Sequence, residues 1–181
     1  YQPLWMERTF AIDETWVAGL FAVGGLANAG MGAWAGALSD RVGRRPLYAT
    51  GTLVAGAGFA IYGMASTVGD LYAGRFVYAI GLAFVGVMIA VTAADYPAES
   101  SRGKIAGVSG VLNGLGIGLA TALFAALPTI FKAQGMSSAD AGRYMLFVMA
   151  GLAALTAIIM QVGLKGGTPS GGSARISLPR I

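Results

Sequence analysis

The sequence predicts an all-α integral membrane protein, a polytopic bundle of five transmembrane helices, and three observations carry that expectation. Hydrophobic residues make up 56% of the 181 and charged residues only 11%, with a mean hydropathy of +0.68. A soluble domain carries about 25% charge, and a chain this apolar cannot cover its surface with polar groups in water. The few charges sit in short intervals between long uncharged stretches. Glycine contributes 29 residues without a Gly-X-Y period, which fits close helix packing in lipid better than collagen or a flexible linker.

Taken in order, residues 1–16 carry Glu7, Arg8, Asp13 and Glu14 and are too polar to span. Uncharged stretches then run over 17–39, 46–69, 76–94, 105–131 and 144–164. Each is close to or above the ~20 residues a helix needs to cross hydrocarbon. The third is the shortest, and residues 71–74 extend it to a span of 71–94 that takes in Arg75. Residues 165–181, with Gly166, Gly167, Pro169, Gly171, Gly172 and Ser173, read as a linker or tail. Alternation of period two is absent, so a transmembrane barrel is a poor alternative.

Composition also limits the chemistry. Without cysteine or histidine, disulfides, thiolate catalysis and the usual zinc or haem sites are excluded. The polar loops hold no clustered nucleophile, base or metal-ligand set, so neither an enzyme nor a bound cofactor or metal is expected. The net charge of +4 does not signal nucleic acid, because the basic residues divide by membrane side. Arg41, Arg44, Arg45, Arg102, Lys104, Lys165, Arg175 and Arg180 fall on one side, against Arg8, Lys132 and Arg143 on the other. The positive-inside rule then puts the 40–45 loop, the 95–104 loop and the tail in the cytoplasm, and residues 1–16 outside.

Two spans carry stripes of small residues. Gly24, Asn28, Gly32 and Gly36 share one helical face, as do Gly110, Gly114 and Gly118 with Ala122 and Ala126. Close helix packing is the plain reading of both. The stretches 25–30 and 110–116 are alike and three helices apart, as an inverted repeat would give. Asn28 and Asn113 are polar groups at mid-depth, suited to interhelical hydrogen bonding or to contact with a solute.

The strongest local signal is Gly36-Ala-Leu-Ser-Asp40-Arg41-Val-Gly43-Arg44-Arg45-Pro46. The expected geometry is a helix ending at Ser39, a tight charged turn, and a second helix with Pro46 near its start. Gly36 permits close approach of a neighbour, and Gly43 a tight turn. Asp40 can face the positive end of another helix. The arginines can bind carboxylates bidentately or contact anionic headgroups.

This stretch resembles the signature G-x-L-[SA]-D-R-x-G-R-[RK] of the major facilitator superfamily, found between that family's second and third helices, with every defined position filled. Arg75-Phe-Val-Tyr-Ala79-Ile-Gly81 is similar to its fourth-helix pattern R-x-x-x-G-x-G, with Ala79 in place of the first glycine. The stretch Asp95-Tyr96-Pro97-Ala-Glu99-Ser-Ser-Arg102-Gly103-Lys104 is similar to its loop between helices four and five. The resemblance implies helices two to six of an N-terminal six-helix domain. A first helix and a C-terminal half of the same transporter are then its partners, together with the lipid bilayer and a small-molecule substrate. It implies a secondary transporter working by alternating access, ion- or proton-coupled, in a plasma membrane such as the bacterial inner membrane. Asp40 would clamp against a helix of the second half. Arg44 or Arg45 would pair with Asp95 or Glu99, with Arg102 beside them. The span 105–131 lacks the Gly-Pro pair of drug–proton antiporters, and the tail lacks the Pro-Glu-Ser-Pro-Arg stretch of sugar porters, so no subgroup is assigned. A truncated, non-transporting protein that assembles through its glycine seams is the alternative.

Arg75 is the one ionisable Lys, Arg, Asp or Glu within the five spans. Counted from Leu71 it lies about 6 Å into its helix, where its side chain could snorkel to the interface. Alternatively it lines the cavity, binding an anionic solute or modulating a nearby proton-carrying carboxylate. Tyr62, Tyr78, Tyr96 and Trp34 are further cavity candidates, though aromatic residues near helix ends commonly act as interfacial anchors.

Overall fold

The computed structural model describes Met6, residues 9–95 and residues 102–163, the side chains of 92–95 and 102 excepted. Its helices are α1 (Glu14–Val42), α2 (Arg44–Met64), α3 (Val68–Asp95), α4 (Arg102–Ala133) and α5 (Ser138–Gly163). All five are long and apolar enough to cross a membrane. No strand occurs among the described residues. The expected all-α, five-span bundle is therefore the observed architecture. The tail, residues 165–181, lies outside the described residues.

Helix ends follow local capping rather than the charges alone. The Asp13 carboxylate accepts the Trp16 N–H at 3.1 Å and starts α1. The uncharged stretch 46–69 does not stay helical to its end: α2 stops at Met64 and α3 begins at Val68, three residues before the expected 71. The Asp70 carboxylate accepts the Ser66 and Thr67 N–H groups at 2.9 and 2.8 Å, while the Thr67 hydroxyl accepts the Asp70 N–H at 3.2 Å. Such a reciprocal box starts a helix, and it puts a carboxylate at the positive end of the α3 dipole. Arg143 closes the same corner by donating from Nη2 to the Ala65 carbonyl at 3.2 Å. α4 ends in a Schellman turn with Gly135 at φ +88°, the Gly135 N–H donating to Lys132 O at 2.9 Å and the Met136 N–H to Phe131 O at 3.2 Å. Ser137 then caps α5, its hydroxyl accepting the Asp140 N–H at 3.1 Å.

The helices are organised around α2, which packs along both α3 and α5, while α1 lies against the far side of α3. The consecutive helices α1 and α2 scarcely touch, and α4 rests lightly on α5. Glycine sets the α2–α3 contact. A Cβ at Gly58 would stand 2.6 Å from the Tyr78 Cα, and one at Gly51 2.7 Å from the Phe84 Cβ. At Gly81 it would overlap the Ala55 backbone and stand 2.6 Å from the Gly51 carbonyl oxygen. Toward α5, Gly56 and Gly63 face Ala153 and Phe147, each with 2.9 Å available. Main chain thus packs on main chain, where dispersion supplies the attraction that lipid-exposed helices lack from hydrophobic burial.

The seams read from sequence lie largely elsewhere. Of the α1 stripe only Gly24 is packed, against the Arg75 side chain, whereas Gly32 and Gly36 have nothing within 4 Å of a Cβ position. On α4, Gly110, Gly114 and Gly118 likewise face open space. Spacing identifies a small-residue face but not what that face meets, and here both faces are turned away from α2.

Two apolar clusters fill the bundle. Toward the end holding Asp13 and Thr67, Met6, Ile12, Val17, Leu20, Tyr62, Leu71, Met145 and Leu146 are buried together. Met6 and Ile12, of the polar leading segment, thus pack on the bundle. Toward the Gly43 end, Ala35, Leu47, Phe84 and Met88 form the second cluster. Large apolar side chains such as Leu26, Leu119, Ile158 and Val162 are exposed around the outside, as a lipid-facing surface requires.

Gly81→Ala and Gly58→Ala are expected to lower stability by about 1–3 kcal/mol each, as overpacking does. Gly151→Ala, exposed on α5 with open space around it, is expected to be neutral or slightly stabilising through helix propensity. Thermal unfolding of the purified protein in detergent checks the ranking.

Candidate functional site

The charged loop is tighter than its sequence suggests. α1 continues past Ser39 to Val42, and α2 starts at Arg44 with Pro46 in its first turn. Pro46 lacks an N–H, but a first-turn N–H has no intrahelical acceptor in any case. One residue, Gly43, is therefore the entire connection. It sits at φ +94°, ψ 157°, a region open essentially to glycine alone. Its N–H donates to the Ser39 carbonyl at 3.0 Å, and the Ser39 hydroxyl donates to the Gly36 carbonyl at 2.9 Å.

Asp40 and Arg41 thus occupy the last turn of α1, not a turn between helices, and both are exposed. A carboxylate at the negative end of its own helix is unfavourable by about 0.3–1 kcal/mol. Arg44 and Arg45 are half-buried, and the Arg45 Nε is buried without a hydrogen-bond partner. Gly36 is half-buried and Gly43 buried. Asp95 closes α3 and Arg102 opens α4, but both side chains, like the whole of Glu99 and Tyr96, lie outside the described residues. Beside the loop, Ala33, Trp34, Ala37, Leu38 and Arg41 line a groove of about 250 Å³ along α1.

A second constellation surrounds Arg75. Because α3 begins at Val68, Arg75 stands seven residues into it, about 10 Å along the axis rather than 6 Å. The guanidinium packs back against α1. Its Nε is buried against Gly24 of α1 without a hydrogen-bond partner. Gly24 itself lies ten residues beyond Glu14, about 15 Å into α1. The guanidinium carbon lies over the Phe21 ring at 4.6 Å and the Tyr78 ring at 5.6 Å, both within cation–π range. Tyr62, buried near the end of α2, lies beside Arg75 with its hydroxyl in electrostatic reach of the guanidinium. The Tyr78 ring packs in turn on Phe59 at 4.9 Å.

Three helices therefore meet at one cation. Arg75 was visible as the only intramembrane charge, whereas Phe21 and Gly24 became part of its surroundings only through the α1–α3 packing. Asn28 is half-buried on α1 and Asn113 exposed on α4. These two helices share no packed interface. Neither amide makes a hydrogen bond among the described residues. Trp34 is exposed. No group of metal-ligating side chains forms among the described residues.

Compared with known proteins, residues 1–175 match a family model described as Major Facilitator Superfamily. No curated protein and no solved structure matches.

Gly43→Ala is expected to cost about 1–3 kcal/mol, the strain of a side chain in a glycine-only backbone region. Its measure is a lower apparent melting temperature, with Gly151→Ala, exposed on α5 with nothing within 4 Å of a Cβ position, as the near-neutral control.

Proposed function

The chain belongs to the major facilitator superfamily, and on that premise we propose that the loop joining α1 and α2 is the cytoplasmic gate of an alternating-access transporter. Membership makes the protein a multi-pass membrane transporter whose five apolar helices contact the lipid bilayer. The finer reading is a secondary transporter of a small solute, ion- or proton-coupled, with Asp40, Arg41, Arg44 and Arg45 facing the cytoplasm.

One observation carries the gate assignment. Asp40 is held exposed on the C-terminal turn of α1, where its own helix dipole disfavours it. A carboxylate there gains a favourable environment when the positive end of another helix docks against it. Gly36 lies one turn earlier with open space where a Cβ would stand, which allows that helix to come close. Docking closes the cytoplasmic side and undocking opens it, and the differential contact at Asp40 biases the two states. Asp95, Glu99 and Arg102 serve the same gate as partners of Arg44 and Arg45. The open glycine faces of α1 and α4 are suited to further helices of the transporter, a first helix and a C-terminal half. Asn28, on the α1 face, is placed to contribute to the cavity between the halves, and Asn113 on α4 likewise.

In vesicles carrying the full-length transporter, Asp40→Asn is expected to reduce uptake at least severalfold at equal surface expression. Transport equal to wild type would remove the gate role from Asp40.

A further inference from the structure

We propose that the outer groove between α2 and α5, with Arg45 at its mouth, holds an anionic phospholipid of the cytoplasmic leaflet. The inference goes beyond the transporter reading and takes from it only the sidedness that puts the Gly43 end of the bundle at the cytoplasmic surface.

Small side chains between larger ones open the groove. Ala49 of α2 and Ala157 of α5 are buried at its base, while Leu53 and Ile158 stand exposed along it. The space between them is about 270 Å³. The Thr50 hydroxyl, also on the lining, donates to the Pro46 carbonyl of its own helix at 2.7 Å, so it offers no free donor among the apolar groups. From Pro46 to Leu53 the groove follows α2 for about 10 Å, and the hydrocarbon of one leaflet is about 15 Å deep. An acyl chain entering from the headgroup level thus meets apolar lining over much of that depth.

The mouth is polar and cationic. Gln161 lines it from α5, exposed two residues before the helix ends. Arg45 stands four residues before Ala49, one turn nearer the helix end on the same face. The two half-buried arginines of α2 divide by face. Arg44 precedes Gly51 and Gly58 by two and four turns, and those glycines pack on α3. Arg45 precedes Gly56 and Gly63 by three and five turns, and those pack on α5. Arg44 is therefore on the side of Asp95, which closes α3, and Arg45 on the side of the groove. Arg45 makes no hydrogen bond or ion pair among the described residues, and of its nitrogens only the Nε is closed off. A phosphodiester matches a guanidinium bidentately, and basic pockets between helices on the cytoplasmic side hold anionic headgroups. Arg41, in the last turn of α1, adds positive charge at the same end of the bundle. Cationic mouth and apolar channel together match one molecule, an anionic lipid, where a free anion or an apolar helix would satisfy one part alone.

The test reads lipid contact at the groove itself. Full-length protein carrying Leu53→Trp is reconstituted in phosphatidylcholine bilayers with a minor fraction of lipid brominated on its acyl chains, either phosphatidylglycerol or phosphatidylcholine. With the wild-type signal subtracted, brominated phosphatidylglycerol is expected to quench the introduced tryptophan at least twofold more than brominated phosphatidylcholine at the same mole fraction. Ile159→Trp, exposed on the same turn of α5 but outside the lining, is expected to be quenched equally by the two. Arg45→Gln in the Leu53→Trp background should abolish the preference, and Arg45→Lys should keep part of it. Four results would overturn the proposal: equal quenching of Leu53→Trp by both lipids, the same preference at Ile159→Trp, a preference unchanged by Arg45→Gln, or no quenching by either lipid, as when a protein helix covers the groove. If Arg45→Gln does not fold, Thr50→Phe, which fills the groove from an exposed position, decides by lowering the preference or leaving it intact. A negative outcome removes the lipid site and leaves the gate, which is read by uptake with Asp40→Asn, untouched.

Discussion

Backbone contact between α2 and α3 is the constraint on which the rest of the bundle depends. Gly51 and Gly58 on one helix and Gly74 and Gly81 on the other bring main chain within reach of main chain. In lipid no hydrophobic force drives two helices together, so attraction must come from many short dispersion contacts and from weak polar ones. A methyl group at Gly81 would separate the helices over several turns, because α2 also carries α5 on its other side. That separation would reach Arg75 as well, since Tyr62 and Tyr78 approach it from these two helices. The position of the intramembrane cation is thus a consequence of glycine packing some turns away.

Much of this architecture can be read from the residues. Long uncharged runs give five helices because a polar backbone cannot sit in hydrocarbon without internal hydrogen bonds. The 36–46 stretch identifies the loop because its glycine, carboxylate and arginines recur at fixed spacing. What sequence periodicity does not hold is the partner of each face. The stripe Gly110, Gly114, Gly118 is as regular as any packed seam, yet it is open. The glycines that are packed on α2, by contrast, stand at 51, 56, 58 and 63, an irregular set divided between two neighbours. The α2–α3 corner escaped for a different reason. Asp70 reads as a boundary by its charge, but it acts from inside the helix on Ser66 and Thr67 upstream.

The two charged regions differ in how they hold their groups. Near Gly43 the side chains are presented outward on helix ends, and their energetics depend on what approaches. Around Arg75 the half-buried cation lies among α1, α2 and α3, in contact with the Phe21 and Tyr78 rings. One region is therefore suited to contacts that form and break between large bodies. The other is held by fixed contacts within the bundle. The separation between them, spanning much of the bundle, lets each be altered without disturbing the other's immediate neighbours.

Gly43 has one more consequence, mechanical in kind. Two rigid rods joined through a single residue are coupled by only two soft torsions, and α1 and α2 have almost no side contact to add stiffness. The joint behaves as a universal coupling. What fixes the direction of α1 is therefore its packing along α3, with Asp40 at its near end and Gly24 further out against Arg75. Any tilt of α1 away from α3 would loosen the contact between Gly24 and Arg75 while re-aiming the carboxylate at the loop. A shared pivot therefore gives the two regions a common coordinate, with no chain of side-chain contacts needed to link them.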